Sequence, residues 1–199
     1  MEQTDAAVAV IFYAGASTDV LGAKTLGVGL NNATDGNLAW APESTTGNTK
    51  KFTDIVCTPS ATRDGAAATA TFTGDLDGSD NWEKVCATDT SAEANSANYP
   101  AFNWVKGYVA THSLTGDYAS GWYIPTVAEL SMMYREKDTV NAALEKAGGT
   151  AVYNGYDAYW SSSQYSSNSA YAWYVWFDDG NLDPNLKSTD KSVCGVRAF

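Results

Sequence analysis

Within Gly121-Trp-Tyr-Ile-Pro-Thr-Val-Ala-Glu-Leu130, the four residues Thr126-Val-Ala-Glu129 form a capping box. A threonine hydroxyl and a glutamate carboxylate at this spacing satisfy each other's free backbone donors at a helix start. Pro125 marks the entry, and Leu130, Met133 and Tyr134 follow as the apolar stripe. Upstream, Pro100 opens a second helix to about His112, with Phe102, Val105 and Val109 on one side and Trp104 and Tyr108 one turn apart. Downstream, Asp138 is placed to cap a third, Thr139 to Lys146, which Gly148-Gly149 stops.

The flanks of this helical block have strand character. Ala6 to Ala14 reads as a first strand buried on both faces, because apolar residues occupy both alternating sets. Gly27 to Asn32 and Leu38 to Ala41 read as a hairpin about Asp35-Gly36, a dipeptide suited to tight turns. From Pro42 to Asn98 small and polar residues predict loops with short elements. In Tyr171 to Asp178, alternation puts Trp173, Val175 and Phe177 on a core face and Tyr174, Trp176 and Asp178 on the other. Gly180-Asn181 turns the chain, Leu182 to Lys191 reads as irregular, and Ser192 to Phe199 is a terminal strand expected to pair with the first.

The chain has 199 residues, enough for one well-buried domain. Its formal charge of −11 and pI near 4.3 disfavour nucleic acid and anionic membrane faces as partners. Ten aromatics fall within residues 151–177, among them Tyr153, Tyr156, Tyr159, Trp160 and Tyr165, interleaved with Ser, Asn and Gly. Contact surfaces of antibodies share this composition. The three cysteines Cys57, Cys86 and Cys194 allow at most one internal disulfide, with Cys57 and Cys86 one option, and the lone His112 completes no zinc set.

Three stretches taken together resemble a known family. They are Gly121 to Leu130, Tyr159-Trp-Ser-Ser-Ser-Gln-Tyr165, and Ala172-Trp-Tyr-Val-Trp-Phe177 with the closing Val193-Cys-Gly-Val-Arg-Ala-Phe199. Their order and spacing are similar to the C-type-lectin-fold variable proteins diversified by retroelements, a fold shared with formylglycine-generating enzymes. The resemblance implies an α+β, C-type-lectin-like domain over residues 1–199, with terminal strands paired, two to three helices and long loops. It also implies a variable ligand-binding region at about 160–199.

Diversity in that family is written at template adenines, so AAY codons become NNY codons, which never encode Lys or Trp. Tyr174, Asp178, Asp179, Leu182, Asp183, Pro184, Leu186, Ser188, Thr189, Asp190 and Ser192 fall in the permitted set; Trp176, Lys187 and Lys191 fall outside it. With Tyr171 and with Trp176, kept for its place in the strand alternation, the permitted residues make up the expected binding surface.

Asp75, Asp77 and Asp80 in Gly74-Asp-Leu-Asp-Gly-Ser-Asp-Asn-Trp82 are the candidate oxygen ligands for calcium, although the segment departs from the EF-hand spacing. The rival reading is turn chemistry. Ser161 to Ser163 and Cys194 are the only obvious nucleophiles, without an elbow motif or a paired base. The expectation is therefore a monomeric, non-enzymatic binder of a protein or other exposed macromolecule. It is expected at the cell surface or outside the cell, where a lipid anchor beyond this sequence would be its one membrane attachment. A calcium-dependent carbohydrate-binding domain and an oxidase relative are the alternatives.

Overall fold

The computed structural model describes residues 7–63, 65–152 and 157–199, and the side chains of all of these except 34–37. In chain order the elements are β1 (Ala9–Ala14), β2 (Thr25–Ala39), α1 (Thr46–Thr49), β3 (Cys57–Pro59), α2 (Ala66–Thr69), β4 (Phe72–Gly74), α3 (Asn81–Thr88), α4 (Pro100–Thr111), β5 (Trp122–Tyr123), α5 (Val127–Arg135), α6 (Lys137–Lys146), β6 (Ala158–Gln164), β7 (Tyr171–Trp176), β8 (Leu182–Leu186) and β9 (Asp190–Ala198). Ala6, Tyr153 and Tyr156 lie outside the described residues.

The main sheet runs β1-β2-β9-β6-β7-β8, with β5 also on β9, while β3 and β4 pair separately. The architecture is thus the expected α+β one, with the terminal strands in one sheet. β2 lies between them, so β1 reaches β9 through β2 rather than by direct pairing. β9 meets β2 antiparallel on one side, and β5 and β6 on the other.

Both faces of the sheet are covered. On one, Leu26, Val28, Tyr159, Trp173, Val175, Phe177 and Val196 share a cluster with Val127, Leu130 and Met133 of α5 and Val140 and Leu144 of α6. On the other, Trp160, Ala172, Tyr174 and Val193 pack with Trp40, Phe52, Ile55, Phe102 and Val105. Trp40 is the hub of that second cluster: its ring meets Phe102 edge-on at 4.9 Å, and its indole N–H donates to the Ser161 carbonyl (3.1 Å).

Several local expectations change. No hairpin turns at Asp35-Gly36: β2 is one long strand whose extra residues are absorbed as bulges against β9, between Val28 and Asn32 and again between Ala33 and Leu38. β1 is an edge strand with Ile11 exposed, not one buried on both faces. Leu182 to Leu186, expected to be irregular, pairs with β7 as β8. The helix α6 begins at Lys137, so Asp138 stands in its first turn rather than at its cap. Its end is as expected, with Gly148 N–H donating to the Glu145 carbonyl (3.1 Å) and Gly149 N–H to that of Leu144 (2.8 Å). Six α-helices form among the described residues where two to three were expected; α1, α2 and α3 are the short elements of the stretch read as loops with short elements.

The capping box forms as read. Thr126 Oγ1 accepts from Glu129 N–H (3.1 Å), and Glu129 Oε2 accepts from Thr126 N–H (2.8 Å). The same carboxylate accepts from the Gly78 N–H (3.2 Å) and the Tyr123 hydroxyl (3.0 Å), so it joins α5 to β5 and to the loop before α3. Gly78 has to be glycine for this approach, since a Cβ there would stand 2.7 Å from the Ile124 carbonyl oxygen.

Glu129 has no exposed surface, and burial holds its carboxyl up at about 7, against the pull of the Thr126 amide and the Tyr123 hydroxyl. The folded chain then keeps a proton that an ordinary glutamate near 4.5 gives up. This contribution to stability is fully present below the unfolded value and is lost as pH rises through 7. Urea unfolding between pH 5 and 8 is expected to show the natural protein losing ground to Glu129→Gln by up to about 1.4 kcal/mol per pH unit. A pH-independent difference between the two would contradict the buried-proton account.

Candidate functional site

The candidate surface is built on the β7–β8 hairpin. Trp176 N–H donates to the Asn181 carbonyl (2.9 Å), and Asp179 Oδ1 accepts from Asn181 N–H (2.9 Å), which fixes the turn. Gly180 has φ +75 and sits against Tyr134 of α5, where a Cβ would come within 2.6 Å of the ring. Its carbonyl accepts from Ala67 N–H (2.8 Å), and Lys137 Nζ donates to the Phe177 carbonyl (2.9 Å). The turn therefore rests on three helices, α2, α5 and α6.

Pairing with β7 sorts the candidates onto two faces. Tyr171 faces Leu186, Trp173 faces Pro184 and Val175 faces Leu182, while Tyr174 faces Asp183 on the opposite side. Asp179, Leu186 and Asp190 are exposed; Tyr171, Trp176, Asp178, Asp183, Pro184, Ser188 and Thr189 are half-buried. Three residues expected at the surface are buried. Leu182 belongs to the α5 and α6 core, Ser192 is enclosed in β9, and Tyr174 keeps only 5% of its surface. Tyr174 is covered because its face meets the second core, where its ring lies 5.9 Å from that of Trp160. Tyr174 and Trp160 support the surface from beneath.

The lysines excluded by the template rule are both buried. Lys187 has no exposed surface; its ammonium stands over Trp40 (4.5 Å) and Phe52 (4.7 Å) and donates to the carbonyls of Gly47 (3.3 Å) and Lys50 (3.0 Å). Burial pushes its pKa down to about 7. Lys191, 7% exposed, points its ammonium at the rings of Tyr174 (3.7 Å), Trp160 (5.4 Å) and Trp176 (5.7 Å). Arg63, on the loop before α2, stands 3.9 Å from Asp183. The codon rule set the two lysines outside the permitted set, as scaffold residues or products of a different template codon, without showing their place. Nothing in the sequence placed Arg63 beside Asp183.

The acidic segment 75–80 is tied to lysines. Asp77 pairs with Lys24 (2.5 Å), and Asp75 (3.2 Å) and Asp80 (2.8 Å) both pair with Lys84. Among the described residues no three His, Cys, Asp or Glu side chains gather as a metal set.

The serines hold structure together. Ser161 Oγ donates to the Trp173 carbonyl (2.7 Å), Ser162 Oγ accepts from Asn81 Nδ2 (2.8 Å), and Ser163 Oγ accepts from Val127 N–H (3.0 Å) at the start of α5. All three cysteines are free thiols, so Cys57 and Cys86 are not paired. Burial raises each thiol, Cys57 to about 12, Cys86 to about 11 and Cys194 further, the opposite of an activated nucleophile.

A family model described as the Lcl C-terminal domain matches residues 33–197. Among solved structures, the crystal structure of a fimbrial protein from Bacteroides ovatus ATCC 8483 aligns with 87% of this chain at a TM-score of 0.58 and 14% identity, a likeness of fold. The present chain covers 35% of that one, about a third of its length. No curated protein matches the chain.

The two-faced packing of β7 sets the expected cost of truncation. Trp173→Ala and Tyr174→Ala should each destabilise the fold by about 3–5 kcal/mol, because each leaves a cavity in one of the two cores. Asp190→Ala should change stability by no more than about 0.5 kcal/mol. Chemical denaturation of the three variants measures this, and a Tyr174→Ala protein as stable as Asp190→Ala would return Tyr174 to the surface.

Proposed function

The chain belongs to the Lcl C-terminal domain family, a C-type-lectin-like domain of the retroelement-variable type, and from that premise we propose that it is a surface-displayed, adhesin-type binding protein. Its recognition surface is the exposed side of the β7–β8 hairpin and the turn into β9, and its ligand is a protein or other exposed macromolecule. The surface is a hypervariable one, rewritten by a retroelement while the scaffold stays fixed.

The observation that carries this reading is the agreement between codon rule and burial along residues 178–191, to which the buried Leu182 is an exception. Positions open to rewriting, such as Asp178, Asp179, Asp183, Ser188, Thr189 and Asp190, are exposed or half-buried, and the two lysines closed to it are packed among aromatic rings. A half-buried Trp176, whose indole N–H donates to the Tyr174 hydroxyl (2.9 Å), adds a rigid aromatic contact to the polar rim. Such a broad, mixed surface suits macromolecular recognition. The fold likeness to a fimbrial protein supports an extracellular setting, and the raised thiols, two of them buried, and the bonded serines support binding without catalysis.

The gene's surroundings test the reading. A near-copy of the segment encoding about residues 160–199, differing from it at adenines, is expected beside a reverse-transcriptase gene. Sequencing of related isolates should then find changes at the exposed positions, with Lys187, Lys191 and Trp160 unchanged. A flank without such a copy, or changes spread evenly over buried and exposed positions, would overturn it.

A further inference from the structure

Lys187 and Lys191 are both buried, yet their ammonium groups are treated differently. Lys187 donates to two carbonyls. Lys191 meets no hydrogen-bond acceptor among the described residues; three rings surround it instead. Ring faces stabilise a positive charge and leave the three N–H donors of an ammonium unanswered. The rings are also fixed in place: Trp160 donates from its indole N–H to the Leu38 carbonyl (2.9 Å), and Trp176 donates to Tyr174.

Nearby charge does not answer those donors. Asp183, directly across from Tyr174 in the β7–β8 pairing, acts on Lys191 electrostatically but forms its ion pair with Arg63. The Arg63 side chain is 74% exposed and brings a second cation to the same carboxylate. In a chain of formal charge −11, two cations therefore converge on Asp183. An acceptor supplied from outside would answer those N–H donors, and a carboxylate would do so best, since it adds charge–charge attraction to the hydrogen bond that a neutral acceptor also makes. The surrounding negative field disfavours a polyanion and leaves room for one locally matched carboxylate.

We propose that Lys191, flanked by Arg63, is the anchor of the recognition surface and takes a single aspartate or glutamate side chain of a protein ligand. The proposal rests on the β7–β8 face being that surface.

Protein carrying 13Cε-labelled lysine tests it by NMR. Titration with the peptide acetyl-Gly-Glu-Gly-amide should move the Lys191 resonance and leave that of Lys187 in place, while the glutamine analogue should bind about tenfold more weakly. Lys191→Met, which keeps a long side chain among the rings, should abolish glutamate binding. Lys191→Arg should restore it and Arg63→Ala should weaken it several-fold, with the other lysine resonances reporting an intact fold. A glutamate peptide that moves nothing, an equal response to glutamine, or binding that survives Lys191→Met overturns the anchor. A response to glucuronate without one to the peptide overturns the protein-ligand assignment. The template-copy test does not depend on Lys191, so a failed anchor leaves the surface reading standing and a missing template copy is scored separately.

Discussion

A single carboxylate, sealed from water, holds the scaffold in register. Glu129 answers its own helix start at Thr126, the Gly78 amide of a loop some fifty residues upstream and the Tyr123 hydroxyl of β5. β5 lies on β9, and the helix that Glu129 begins carries Tyr134, against which Gly180 of the β7–β8 turn is seated. The route from the capping box to the candidate surface thus passes through two packed contacts. A buried acid of this kind contributes less by raw strength than by fixing one arrangement of the pieces around it.

The lysines under the hairpin extend the same logic to the site. Buried cations are costly unless hydrogen-bonded or paired, and Lys187 is satisfied by two carbonyls and two rings. That ties β8 and its following turn to the segment around α1, far away in sequence. Substitutions at the exposed positions beside it are expected to leave the interior in place, because the ammonium and the tryptophan beneath it carry the packing. A variable exterior is compatible with a constant interior for that reason.

Much of this was legible because it is local. The capping box, the helix after Pro100 and the glycine stop after Lys146 are encoded within a few residues, and each formed. The family and fold class were legible from motif order. What failed depended on distant partners. Asp35-Gly36 has turn chemistry, but β9 pairs along β2 on both sides of it and keeps the strand continuous. The alternation in β7 separated two faces correctly and could not show that Trp40, Phe52 and Phe102 come back to cover the second, which hid Tyr174. Asp183 was read as a surface residue without its neighbour, since Arg63 arrives from a loop that no pattern links to β8.

The central place of β9 bears on how the molecule is made. Three strands lean on it, and all of them precede it in the sequence. Until it emerges from the ribosome, β2 has an open edge, and β6 lacks its neighbour, so the nascent chain offers unpaired backbone to anything nearby. Such long-range closure is slow. An intermediate that lacks β9 therefore leaves the edge of β2 and the neighbour position of β6 open until that strand arrives.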